Sequence, residues 1–183
     1  MHAFLISTAL VALAEIGDKT QLLSLLLAAR FRRPLPIMFA ILLATLANHA
    51  VAGLAGTLFG NLLEGAWLRW VLGLSFLAVA VWALFPDSVD EPGAIRDSGV
   101  FLTTLVAFFL AEIGDKTQIA TVALAARYDR FYAVVLGTTL GMMLANVPAV
   151  LIGDRMAGRL PLGAIRAAAA IVFAALGILT LLT

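Results

Sequence analysis

The sequence predicts an all-α membrane protein: six transmembrane helices arranged as two inverted three-helix repeats. Three observations predict this fold. Of the 183 residues, 63% are hydrophobic and only 13% are charged, about half the charged share of an average soluble chain. Six apolar stretches reach the roughly 20 residues that a helix needs to cross about 30 Å of hydrocarbon. One nine-residue string, LAEIGDKTQ, occurs twice, at Leu13–Gln21 and at Leu110–Gln118.

The first stretch is Ala3–Arg30. Its start, Phe4–Ala14, has the apolar character of a signal peptide, and Ala12-Leu13-Ala14 resembles a cleavage site. No basic residue precedes it, however, and the same motif recurs far along the chain, so the stretch is read as a retained span. The second, Pro36–Gly60, carries Asn48, the lone intramembrane histidine His49 and a Gly56-to-Gly60 spacing suited to close helix packing. The third, Ala66–Phe85, is flanked by Trp67, Trp70 and Trp82, side chains that favour the membrane interface.

A polar, acidic connection follows at residues 86–98, leaving residues 1–85 and 99–183 as two halves of one membrane domain. The fourth stretch, Gly99–Arg127, contains the second motif copy. The fifth, Phe131–Gly153, repeats the glycine spacing at Gly137 and Gly141 and carries Asn146; the sixth is Ala164–Leu182. All six runs are continuous rather than alternating, which fits helices and not barrel strands.

A shift of 97 residues superimposes the two motifs and also Ala28-Ala29-Arg30 on Ala125-Ala126-Arg127, while a shift of 98 aligns Leu46-Ala47-Asn48 with Leu144-Ala145-Asn146. The halves are therefore duplicates. Each holds an odd number of spans, so the second enters the membrane from the opposite side, the inverted plan of many secondary transporters. Arg30, Arg32, Arg33, Arg96, Arg155, Arg159 and Arg166 fall on one side, against Arg69, Arg127 and Arg130 on the other. The positive-inside rule then puts the richer side in the cytoplasm and both termini outside.

Each motif places a glutamate, an aspartate and a lysine near mid-span: Glu15, Asp18 and Lys19, then Glu112, Asp115 and Lys116. A charge at a helix centre costs about 2.5–3.5 kcal/mol on insertion scales, so six must pair, line a cavity or bind something. In a continuous helix Glu15, Asp18 and Gln21 share one face, as do Glu112, Asp115 and Gln118. Glu15–Lys19 and Glu112–Lys116 pairing at i,i+4 leaves Asp18 and Asp115 uncompensated, a net of −2 that two protons or one divalent cation would neutralise. Gly17 and Gly114 allow close approach or a local break.

Glu15, Asp18 and Gln21 with Glu112, Asp115 and Gln118 are the expected metal ligands, an oxygen-only set that suits hard cations such as Ca²⁺, Mg²⁺ or Mn²⁺. The chain has no cysteine, which excludes thiolate sites, disulfides and thiol catalysis. Thr20, Thr117, Asn48 and Asn146 stand close enough in sequence or alignment to support the site, with interhelical hydrogen bonding as their alternative role. Metal and protons would compete for the same carboxylates, so cation–proton exchange follows as an expectation. A channel with acid rings and an intramembrane aspartyl enzyme are the alternatives. The inverted duplication disfavours the first, and the lysines and glutamines have no evident role in the second.

At Glu15-Ile16-Gly17-Asp18-Lys19-Thr20 and again at Glu112-Ile113-Gly114-Asp115-Lys116-Thr117, the chain resembles the Gdt family of calcium/manganese–proton antiporters, found in bacterial, Golgi and chloroplast membranes. The resemblance covers essentially the whole chain. It implies export of Mn²⁺ or Ca²⁺ against H⁺, with Glu15, Asp18, Glu112 and Asp115 as the motif acids and no prosthetic group. The lipid bilayer and the metal ion are then the partners. With a net charge of +1 nucleic acid is not expected, and nothing in the sequence calls for a homodimer. The short central loop resembles that of bacterial members, which implies an inner-membrane location.

Overall fold

A computed structural model of the chain describes residues 1–62, 66–85, 99–152 and 162–182. The acidic connection at 86–98, with Arg96, and the turn carrying Arg155 and Arg159 lie outside these residues. Among the described residues all regular structure is helical. The helices are α1 (His2–Glu15), α2 (Lys19–Phe31), α3 (Pro34–Leu62), α4 (Ala66–Ala83), α5 (Val100–Glu112), α6 (Lys116–Tyr128), α7 (Phe131–Ile152) and α8 (Leu162–Leu182). Pro34–Leu62, Ala66–Ala83 and Phe131–Leu151 are each long and apolar enough to cross a membrane.

The first and fourth predicted spans differ from expectation in one respect: each is two half-helices. Ile16 turns extended (φ −65°, ψ 117°), Gly17 is left-handed (φ 80°) and Asp18 is an extended N-cap (φ −85°, ψ 169°). Ile113 (φ −62°, ψ 122°), Gly114 (φ 73°) and Asp115 (φ −73°, ψ 159°) repeat the break. Glycine is the residue that enters the left-handed region without steric cost, and aspartate is among the best N-caps. The motif thus encodes a break where hydropathy shows only an unbroken span. The halves also share their next stop signal. Arg32 (φ 52°) and Asp129 (φ 45°), 97 residues apart, are left-handed C-caps whose N–H groups bond to Ala28 O at 2.9 Å and Ala125 O at 3.1 Å.

Packing runs across the halves rather than within them. Helix α1 lies along α7 and α5 along α3, while α2 packs on α7 and α6 on α3; α4 pairs with α8. Sequence equivalents fill equivalent core positions. Phe76 on α4 and Phe173 on α8 are both fully buried, as are Ile37 on α3 and Val134 on α7. At the α1–α7 contact, the backbone of α1 passes so close that a Cβ on Gly141 would stand 2.6 Å from Thr8 O and 2.9 Å from Ala12 N. At α3–α6, a Cβ on Gly60 would stand 3.0 Å from Ala126 O. Both glycine pairs noted in the sequence serve such close approaches between the halves.

Gly141→Val should therefore lower unfolding free energy by about 1–3 kcal/mol or more, the usual cost of forcing volume into a packed core. Gly163→Ala, where a Cβ meets nothing within 4 Å, should stay within about 0.5 kcal/mol of wild type. Thermal unfolding in detergent, followed by tryptophan fluorescence, checks both. Equal stability of the two variants would contradict the close α1–α7 contact.

Candidate metal centre

Since α1 ends at Glu15 and α2 begins at Lys19, these two residues do not share one helical ladder, and the same holds for Glu112 at the end of α5 and Lys116 at the start of α6. The lysines reach across instead. Lys19 Nζ stands 3.1 Å from Asp115 Oδ1, and Lys116 Nζ donates to Asp18 Oδ1. The aspartates, expected to be uncompensated, are the ion-paired acids. Each lysine serves the motif of the other half.

Between these pairs three carboxylates gather. Oxygens of Glu15, Asp18 and Asp115 all lie within 4.8 Å of one another, and the residues are 0%, 1% and 0% exposed. A hard cation about 2.3–2.6 Å from each ligand oxygen spans oxygens about this far apart. Glu15 Oε2 has no hydrogen-bond partner among the described residues. Two lysines against three carboxylates leave a net negative centre shielded from water. It sits at the broken ends of α1 and α2 and at the N-terminus of α6, the kind of helix interruption from which transporters build ion sites.

Glu112 is not one of these three acids, and its carboxylate is bonded to α3. Its Oε1 accepts from Thr45 Oγ1 at 2.5 Å and its Oε2 from Asn48 Nδ2 at 3.0 Å, both on α3. Glu15 receives a longer bond, from Asn146 Nδ2 at 3.3 Å, and Asn146 Oδ1 is itself held by Ser24 Oγ at 2.6 Å. The two asparagines thus present donors to the motif glutamates, joining α3 to α5 and α7 to α1.

Gln21 and Gln118 turn their amide oxygens back to the breaks. Gln21 Oε1 accepts from Gly17 N and Gln118 Oε1 from Gly114 N, each at 2.7 Å, while Gln21 Nε2 donates to Ala145 O at 3.0 Å. Thr117 donates twice to Asp115 Oδ2, from its N at 3.2 Å and its Oγ1 at 3.0 Å. Thr20 is fully buried, and its hydroxyl has no partner among the described residues. His49 is likewise fully buried, with neither ring nitrogen bonded among those residues.

Sequence reasoning did not single out Thr45 or Ser24. A periodicity signal was available for each: Thr45 lies one turn before Asn48, and Ser24 one turn after Gln21.

Comparison with known proteins adds an independent line. A family model described as "Divalent cation/proton antiporter GDT1" matches residues 3–91 and 100–183. The chain is 54% identical over 181 residues to the "Putative manganese exporter" of Vibrio cholerae serotype O1, covering 98% of this chain and 90% of that protein. It is 26% identical over 223 residues to GDT1-like protein 5 of Arabidopsis thaliana, covering 100% and 96% respectively. With the "Divalent cation/proton antiporter GDT1" of Saccharomyces cerevisiae it shares 24% identity over 229 residues, covering 94% and 81%. No solved structure matches.

The break itself is open to test. A Cβ on Gly114 meets nothing within 4 Å, so the cost of Gly114→Ala is that of its left-handed backbone, about 1–2 kcal/mol of unfolding free energy. Gly114→Asn should cost less, since asparagine tolerates that conformation. Denaturation in detergent measures both, and an asparagine as costly as alanine would argue against backbone conformation as the reason.

Proposed function

The chain belongs to the GDT1 family of divalent cation/proton antiporters, and from that premise we propose that it exports Mn²⁺ in exchange for protons by alternating access at its buried acidic centre. The observation that carries the proposal is the convergence of Glu15, Asp18 and Asp115, from both motifs, within 4.8 Å of one another. The manganese exporter named among the relatives supports Mn²⁺ as the cargo. Ca²⁺ fits the same oxygen chemistry and is a second cargo under this reading.

The exchange follows from charge. Glu15, Asp18, Glu112 and Asp115 against Lys19 and Lys116 leave −2 when all six are ionised. One divalent ion or two protons restores neutrality, so the loaded carrier and the protonated carrier are each able to close around a dry site, and the bare site is not. Glu15, Asp18 and Asp115 are the metal ligands in this scheme. Glu112, held by Thr45 and Asn48, belongs to the proton side of the exchange. Thr20, Thr117, Gln21, Gln118, Asn48 and Asn146 support the acids and the breaks.

In the membrane we propose six crossings in two inverted halves. Neither α1, with 14 residues, nor α2, with 13, spans about 30 Å at 1.5 Å per residue. Joined at the break they do, as do α5 and α6. The reciprocal packing of α1 on α7 and α5 on α3 supports this arrangement. The excess of arginines on one side supports termini on the outer face of a bacterial inner membrane.

Vesicles containing the purified protein should take up Mn²⁺ when an outward proton gradient is imposed. Asp18→Asn and Asp115→Asn should each lower the rate by about 100-fold, the scale of losing a buried charged group. Wild-type flux indifferent to the proton gradient would replace the antiporter with a channel. Full activity in both aspartate variants would remove the site.

Removal of one carboxylate should also sort the acids. Glu15→Gln should weaken Mn²⁺ binding by about tenfold or more, while Glu112→Gln should retain binding and lose the response of transport to pH. Calorimetry across pH distinguishes them, and an equal loss of affinity in both variants would place Glu112 among the ligands.

A further inference from the structure

Resting on the reading that the three carboxylates hold the transported ion, we propose that the Lys116 ammonium is a tethered stand-in for it, occupying the cluster in the empty protein and leaving when metal enters. The lysine is not an incidental neighbour. Its side chain is 4% exposed, against 26% for Lys19, and it donates to Asp18, one of the three clustered acids. The charged groups that meet here are Glu15 at the end of α1, Asp18 and Lys19 at the start of α2, and Asp115 and Lys116 at the start of α6. Glu112, on α5, faces Thr45 and Asn48.

A lysine can stand in for a metal because both neutralise carboxylates, yet only the metal draws several oxygens into one shell. The ammonium is a point charge on a flexible four-carbon stem with three donors, so it can withdraw without moving its helix. Two consequences follow for an exchanger. With its aspartates compensated by lysine, the metal-free site needs only its two protons to close, as the returning carrier requires. Metal affinity is also held down, because each ion that enters must first dislodge a well-placed cation. Release on the far side is then completed by the lysine returning to Asp18. Because Lys116 belongs to the second half and Asp18 to the first, the displacement also releases one of the ties between the halves at the moment of loading.

The sign of one effect separates this role from a merely structural one. Mn²⁺ titrated calorimetrically into purified wild type, Lys116→Gln and Lys116→Arg at alkaline pH is the test. Lys116→Gln should bind about tenfold tighter than wild type and, in vesicles, turn over more slowly because release is impaired. Lys116→Arg, which keeps the charge, should bind close to wild type. Equal or weaker binding by Lys116→Gln overturns the proposal, since a lysine that assembles the site would lower affinity when lost. Lys116→Met, uncharged and of similar volume, replaces the glutamine variant if that one does not fold. Wild type that binds no Mn²⁺ would remove the cluster reading itself, whereas wild type that binds while Lys116→Gln fails to gain would remove only the role of the lysine.

Discussion

A surplus of negative charge held out of water governs this molecule. Burying an ion costs several kcal/mol even after relaxation, and an opposite charge offsets the cost only when the geometry is good. Here the compensation is crossed: Lys19 meets Asp115, and Lys116 meets Asp18. Each half's aspartate is paired by the other half's lysine, so the half containing Asp18 depends on the half containing Lys116. Close helix approaches at Gly141 and Gly60 make that exchange geometrically feasible, because long lysines still need backbones near one another to reach. Charge and packing therefore select the same arrangement.

Identical nine-residue strings end in unequal surroundings, and the inequality has a local cause. Thr45 on α3 bonds Glu112, but the aligned position on α7 is Met143, which has no hydroxyl to offer Glu15. Ser24 on α2 steadies Asn146, whereas its counterpart Thr121 on α6 bonds its own backbone at Thr117 O. Asp115 spends an oxygen on the α6 N-terminus, while Asp18 makes no such cap bond. The outcome is one glutamate fully engaged beside the cluster and one inside it with an oxygen unclaimed among the described residues. Duplication supplies equal parts, and the residues around them divide the labour.

Much of this was legible in the sequence, and the boundary of legibility is physical. The apolar stretches follow α3, α4, α7 and α8 closely, because hydropathy tests each residue against lipid, and these helices are uniform in that respect. The acids were equally plain, since charge in an apolar run has no local explanation. What escaped was direction. Assuming one helix through Glu15, Asp18 and Gln21 put all three on a single face; the left-handed Gly17 ends that register, and the single-face stripe goes with it. Gly17 was noted as a site of close approach or break, but a helix-periodic pattern carries no sign of which. Thr45 and Ser24 were hidden for the opposite reason: a hydroxyl in a transmembrane helix usually satisfies itself on its own backbone, so only their one-turn spacing from Asn48 and Gln21 sets these two apart.

With the break in view, the motif reads as a single device. A helix interrupted in an apolar interior leaves N–H and C=O groups without partners, and each such group is costly. The string disposes of them in order. Glycine supplies the turn, and its freed N–H is taken by the glutamine four residues on, at 2.7 Å in both copies. Aspartate takes the N-cap position, its own N–H returning to the glutamate carbonyl at 3.0 Å in the first copy and 3.1 Å in the second. Lysine, first residue of the new half-helix, meets the aspartate of the opposite motif. The glutamate that closes the preceding half-helix is the one acid the break does not consume. A continuous helix would give the same residues one face and no reason to converge; interrupting it twice, in halves that interlock, turns two ordinary stripes of charge into one centre.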